Sequence, residues 1–359
     1  MDAHSTPREY VPEMTTGMAN RIGLVALLFL GFVAAPALRA DEATGQPFVV
    51  VVGIDKYQDP QIKTRKHAEA DAKAFYDLFA SNDHLGVAKD HVKLLLGSGK
   101  DGEQATKDNI LKALQWVEKG AKKNDLVVFA MFGNGAPLGE RVCYFGVDST
   151  FKNRGKDAIA SGDIETVVEK IQSQRFVAML DVNFMGFDLG KEKGPDLITQ
   201  KFYQEFIGKE DESKETGPSR VIFLANLGTK PSIDLDKHGI FAQVMLDGLK
   251  GKADAEGYES DGNITVSEMT KYLKKTLPDL AREVGKTKEQ KEQKPVVVEG
   301  QASDFVIGVN PEAHVKSLER LKKFDALVLE HKVEKKLAEE GHTYLARMPK
   351  LEAQRSLRK

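Results

Sequence analysis

The chain carries a single cysteine, Cys143, in 359 residues. No internal disulfide can form, so packing alone must hold the core. No Cys/His cluster has the spacing of a zinc site. An excess of one charge is also missing: 52 Lys and Arg against 54 Asp and Glu, with the histidines neutral, leave a formal net charge of -2. That balance argues against a nucleic-acid binder driven by overall charge. Nor is there a long hydrophobic run. The one near the start, Ile22 to Ala35, falls short of a comfortable membrane span of ~20 residues. No sustained repeat is found.

That short run does have the layout of a secretory signal. Arg21 precedes it, Ala35-Pro36-Ala37 gives a small-residue cleavage pattern, and the acids Asp41 and Glu42 follow. Residues 1–40 are therefore read as a signal-peptide region, with an uncleaved anchor as the other reading. Residues 1–17 are polar and unlike such a signal, which makes Met18 an alternative start. The expectation is an exported chain, periplasmic or extracellular, with no stable membrane span.

An apolar fraction of 41% is ordinary for a protein with a real core. From residue 47 onward, buried-type strand runs alternate with helical patterns. "FVVVVGI" (Phe48 to Ile54), "HVKLLL", "DLVVFAMF", "CYFGVD", "RFVAML" and "RVIFLAN" read as strands. Between them, "AEADAKAFYDLFAS", "TKDNILKALQWVEKG" and "SGDIETVVEKIQSQ" read as helices, the second with Thr106 as N-cap and Gly120 at its end. Such alternation predicts an α/β fold with a largely parallel sheet. A charged insertion spans Asp188 to Ser219, with only "ITQKFYQEFIG" helical in pattern. Helices are expected over Phe241–Leu249 and Ser267–Leu273, then a solvated loop, "GKTKEQKEQKP", and a late strand, "VVVEG". Val315, Leu318, Leu321, Phe324, Val328 and Leu329 recur among charges in residues 311–359, which suggests a charged amphipathic helical tail for docking or self-association.

Two predicted strand ends stand out. "VVFAMFGNGA" places Asn134 between two glycines, and "VAMLDVNFMG" places Asn183 two residues past Asp181. Both are expected to end in tight polar turns, where ligands of open parallel sheets bind.

With "FVVVVGIDKY", "HAEADAKAF", "TKDNILKALQWV" and "HGIFAQVMLDGLKGKAD" around them, these ends resemble the caspase-like peptidases, particularly bacterial caspase and metacaspase-like proteins. The resemblance covers residues 47–310. It implies a three-layer sandwich with a mostly parallel central sheet and helices on both faces, followed by the helical tail. In that family the first strand end carries Gly-His-Gly with the general base, and the second carries the nucleophilic Cys. Here both catalytic positions are Asn, at 134 and 183. A carboxamide neither attacks as a thiolate does nor exchanges a proton near neutral pH. The resemblance therefore implies a pseudopeptidase, with no catalytic residue.

Recognition is what such a site can retain. The resemblance implies that Asp181 and Asp71 bind Arg or Lys of a peptide or protein segment, as converging carboxylates do well. It also places the amides of Gly135 and Asn183 at the family's oxyanion hole. The plain alternatives are a capping carboxylate for Asp181 and a solvated helix residue for Asp71. Cys143, in an apolar strand, reads first as a core residue and second as a replacement nucleophile. His238 reads as a turn or cap residue, and Asp148 as a structural turn. "GYESDGNITVSE" (Gly257 to Glu268) partly fits a calcium loop, but Gly257 stands where the first acidic ligand belongs. A plain loop is the default there, and no cofactor is expected beyond that weak calcium fit. The rival readings are an active cysteine-type endopeptidase or other hydrolase with a non-standard nucleophile, and a scaffold acting through its tail.

Overall fold

Alternating strands and helices build a sheet covered on both faces in the computed structural model. It describes residues 45–189, 203–207, 219–226, 232–254, 260–300, 304–330 and 334–341. The signal-peptide region and most of the Asp188–Ser219 insertion lie outside them. The chain runs through β1 (Phe48–Gly53), α1 (Ala68–Ala80), β2 (Val92–Leu96), α2 (Lys107–Gly120), β3 (Leu126–Leu138) and β4 (Arg141–Tyr144). Then come α3 (Arg154–Asp157), β5 (Ile159–Ala160), α4 (Ser161–Val168), β6 (Arg175–Asn183), α5 (Gln204–Ile207) and β7 (Ser219–Leu224). The last elements are α6 (Ile240–Asp247), β8 (Asn263–Thr265), α7 (Val266–Val284), α8 (Lys288–Lys291), β9 (Val296–Glu299), β10 (Val306–Val309) and α9 (Pro311–Glu330).

The main sheet has the order β2-β1-β3-β6-β7-β9. Its first five strands run parallel, and β9 closes the β7 edge antiparallel. Side chains alternate across it with the strand period of two. Val50, Val52, Phe129, Met131, Ala178, Leu180 and Ile222 enter one core with Ile110 and Leu114 of α2 and Ile164 of α4. Val49, Val51, Val128, Ala130, Val177, Met179 and Val221 enter the other, with Phe75 of α1, Phe241 of α6 and Leu273 of α7. Near-continuous apolar strands are thus explained by burial on both faces.

Local chemistry sets several boundaries. The Thr106 hydroxyl accepts the Asn109 N–H and caps α2, as the sequence suggests. Thr265 and Glu268 form a reciprocal capping box on α7. That helix continues past Leu273 and through Pro278, because Leu277 and Ala281 prolong its buried stripe. The expected solvated loop after it is also partly structural. Thr287 caps α8, and Gln293 is fully buried, where its amide binds the Ala225 carbonyl and the Ile233 N–H.

The expected turn at "FGNGA" is not there. Strand β3 runs on to Leu138, because β4 folds back antiparallel and pairs Gly135 with Tyr144 through Leu138 with Arg141. Strand β6 likewise reaches Asn183 rather than stopping at Asp181, since its register with β3 ends at Asn134 opposite Asn183.

Candidate functional site

Asn134 and Asn183 are register partners on the two central strands, so the fold does bring them side by side. Asn134 is almost wholly buried. Its Nδ2 donates to the Lys63 carbonyl at 2.7 Å, its backbone N–H donates to the Tyr57 hydroxyl at 2.7 Å, and its carbonyl accepts the Phe145 N–H. Gly186 packs directly against the carboxamide, in a space that would not admit a Cβ. Asn183 is partly exposed, and its Oδ1 accepts the Met185 N–H at 2.9 Å, the short Asx turn favoured by this residue type. Gly135 sits in the interior, against the Cys143 carbonyl and the Phe184 ring.

Alternation along β6 turns Asp181 to the same face as Val177 and Met179, the face that α1 and α6 cover. Asp71, in the first turn of α1, is buried there too. The two carboxylates converge: one oxygen of each stands 3.2 Å from where a Cβ on Gly239 would lie. Asp71 accepts the Gly239 N–H at 3.1 Å and meets His238 Nδ1 at 2.7 Å. Burial, reinforced by the nearby Asp181 charge, pushes the Asp71 carboxyl up to about 8. Burial also lowers the His238 imidazole.

Arg65 is the residue that sequence reasoning missed. Its guanidinium forms a buried ion pair with Asp181 at 2.6 Å and donates to the Gly133 carbonyl at 2.9 Å. Burial works against its charge, but the Asp181 carboxylate outweighs that and holds the guanidinium above its ordinary pKa, with Asp234 adding to the field. The loop that delivers it is strained at one point: His67, just before α1, has φ 67° in the left-handed region. No periodic pattern marks such a loop arginine, and loop charges default to solvent. The basic run "TRKH" ahead of a helix whose first turn carries an inward acid was the available signal.

The other candidates lie elsewhere. Cys143 is fully buried on β4 opposite Ala136, and its thiol donates to the Ala136 carbonyl at 3.4 Å. Burial pushes that thiol up to about 12. Asp148 accepts the Lys107 N–H at the start of α2. In the proposed calcium loop, residues 255–259 lie outside the described residues. Asp261 accepts the Asn263 N–H, and Glu268 is engaged in the α7 capping box. Among the described residues no group of three or more His, Cys, Asp or Glu is placed to hold a metal ion.

The sequence matches a known family model, the Caspase domain, over residues 46–306. The chain belongs to the caspase domain family. Its mixed, mostly parallel sheet with helices on both faces is that family's fold. No curated protein matches the sequence. Solved structures similar to this caspase domain include protein GSU0716 from Geobacter sulfurreducens, 14% identical, covering 71% of this chain and 93% of that one with a TM-score of 0.45. Caspase-1 from Spodoptera frugiperda is 11% identical, with 71% of this chain and 86% of that one covered and a TM-score of 0.43. The structure titled pro-sf-caspase-1 is 12% identical, with 71% and 91% covered and a TM-score of 0.42.

Proposed function

We propose that this caspase domain is a pseudopeptidase, a module that keeps the family's strand ends and performs no acyl transfer. One observation carries the reading. At the two positions where the family resemblance puts base and nucleophile stand two carboxamides, each engaged with a backbone partner. Acyl transfer needs an activated nucleophile with a base in reach, and a carboxamide supplies neither. Cys143 is a poor substitute, because a buried thiol held near pKa 12 is the opposite of an exposed thiolate.

What remains is recognition of a peptide or protein segment at the former groove. Asp71 and Asp181 favour an Arg or Lys side chain, and the Asn183 end of β6 borders the approach. No cofactor enters this reading, and the N-terminal signal pattern sends the module out of the cytoplasm. A second role for the tail is favoured by Leu327, Leu329 and Leu337, which are 52%, 80% and 58% exposed. Such leucines on a charged helix suit self-association.

The test is turnover. The purified protein and its Cys143→Ala variant are given fluorogenic peptides ending in Arg, Lys or Asp, with and without calcium. Both are expected to be silent. Turnover that follows the natural protein through purification overturns the reading, and its loss in Cys143→Ala would assign the activity to that thiol.

A further inference from the structure

Helix α5 is only four residues long, yet it carries a carboxylic acid into the core. We infer that α5 is a pH-operated latch, docked on β4 while Glu205 carries a proton and loosened when that proton is lost. This goes beyond the recognition reading above and does not depend on it.

The packing of α5 carries the inference. Tyr203, just ahead of the helix, and Phe206 anchor it among rings. Phe206 stacks on Phe129 of β3 at 5.6 Å and meets Tyr144 edge-on, while Tyr203 meets Phe184 at 6.3 Å. The end of α5 is tied to the end of α4, because the Arg220 guanidinium donates to the Ile207 and Val168 carbonyls. Glu205 lies inside this contact, fully buried. Its two hydroxyl donors, Tyr144 and Ser161, both go to Oε1, at 2.8 and 3.3 Å. Oε2 is buried with no hydrogen-bond partner. An ionised carboxylate with one bare oxygen in a dry site is costly, and a proton removes the charge while the packing stays.

The charges around α5 do not offset that cost. Arg141 of β4 pairs with Glu165 of α4 rather than with Glu205. Arg220 of β7 spends its donors on the two carbonyls, and the charge that acts on it is Glu169, past the end of α4. Tyr144 and Tyr203 are the titratable groups in ring contact, and burial pushes both phenols up. Burial therefore outweighs the hydroxyls and the Arg141 charge, and it holds Glu205 up to about 7. Docking strength is fully present below the ordinary glutamate value of 4.5 and is lost as pH rises through about 7. The effect reaches the end of β6. Phe184 follows Asn183, and its ring lies against Gly135, Tyr144 and Tyr203, so a loosened α5 takes away one of its walls.

The experiment is hydrogen exchange by mass spectrometry on the full-length protein and Glu205→Gln at pH 5 and pH 8. Each rate is divided by that of the same peptide unfolded at the same pH. Peptides over Tyr203–Ile207 are compared with peptides over Phe176–Leu180 of β6. A carboxyl moved from 4.5 to about 7 weakens docking on the order of fiftyfold over that range, and protection of the α5 peptide is expected to fall by that factor. In Glu205→Gln the same peptide is expected to change by less than about threefold. At both pH values α5 is expected to be less protected than β6, the mark of local opening. An equal fall in Glu205→Gln would overturn the inference, as would an α5 peptide that is unprotected at pH 5 or exchanges only as fast as β6. Should Glu205→Gln not fold, Tyr144→Phe takes its place. It lacks the hydroxyl that favours the charged form, so its α5 peptide is expected to lose at least as much protection as that of the natural protein. A smaller loss overturns the inference.

Discussion

Asp71 shows how a single buried acid can set the pH response of this site. Its folded-state pKa is raised to about 8 by burial first and the Asp181 charge second. A raised acid contributes stability that is fully present below its unfolded pKa of about 4 and is lost as pH rises through about 8. His238 acts in the opposite sense, since its lowered pKa makes the folded state bind fewer protons below about pH 6.5. Above that pH the Asp71 effect stands clear of it. Asp71→Asn should therefore gain stability relative to the natural protein between pH 6.5 and 8.5, by roughly 1–2 kcal/mol at 1.36 kcal/mol per pH unit. Urea unfolding of both proteins across that range checks it, and a gap that does not widen with pH would sink the assignment. The resemblance to the caspase-like family made Asp71 and Asp181 visible in the sequence. The sequence hid Arg65 and Asp234, because their meeting depends on loop paths that carry no period, and His238 showed only as a cap.

The elements around the site succeed or fail as anchors. The short α5 lies inside the charged insertion, and "ITQKFYQEFIG" is helical in pattern, but only the fold explains why it is held. Tyr203 and Phe206 are buried, and the Glu205 carboxylate lies fully buried under the Tyr144 hydroxyl, which donates to it at 2.8 Å. Burial raises Glu205 to about 7, and its second oxygen has no hydrogen-bond partner. The sign again favours the neutral form, so this group costs stability as pH rises from about 4.5 through 7. Glu205→Gln keeps the shape and removes the charge. It is expected to stabilise the fold by roughly 2 kcal/mol at pH 8 and to change little at pH 4.5. Thermal unfolding at the two pH values checks this, and a loss of stability at pH 8 would mean that the carboxylate is needed in its charged form. Strand β3 teaches the converse lesson about legibility. Glycines flanking Asn134 look like a turn, yet pairing with β6 holds Gly133 in strand and a hairpin partner nine residues on holds Gly135. Local residue preference yields there to tertiary pairing.

At the scale of the molecule, the double-faced core was legible because apolar runs of strand length alternate with helical stripes, and few folds satisfy both. The tail was legible as a charged amphipathic helix, and α9 does start at Pro311. Its first turn is tied to the body: Asn310 donates to Asp254, and Ala313 is buried. Farther along, Phe324 packs against Gly341, so residues 335–341 fold back on α9. The leucines at 327, 329 and 337 stay exposed, more apolar surface than a charged helix needs when it works alone. If their role is association, the folded body should not depend on them. A chain ending after Ala313 is expected to keep its melting temperature within about 4 °C of the full chain, since among the described residues of the tail beyond its first turn only Ala338 is buried, the others being exposed or half-buried. The same truncation should convert a larger species to monomer in sedimentation velocity at micromolar concentration. Leu327→Asp/Leu329→Asp in the full chain should do likewise without shortening it. A full-length protein that sediments as a monomer throughout would remove the tail from assembly, and a truncation that melts far lower would make it a brace for the α7 side of the core.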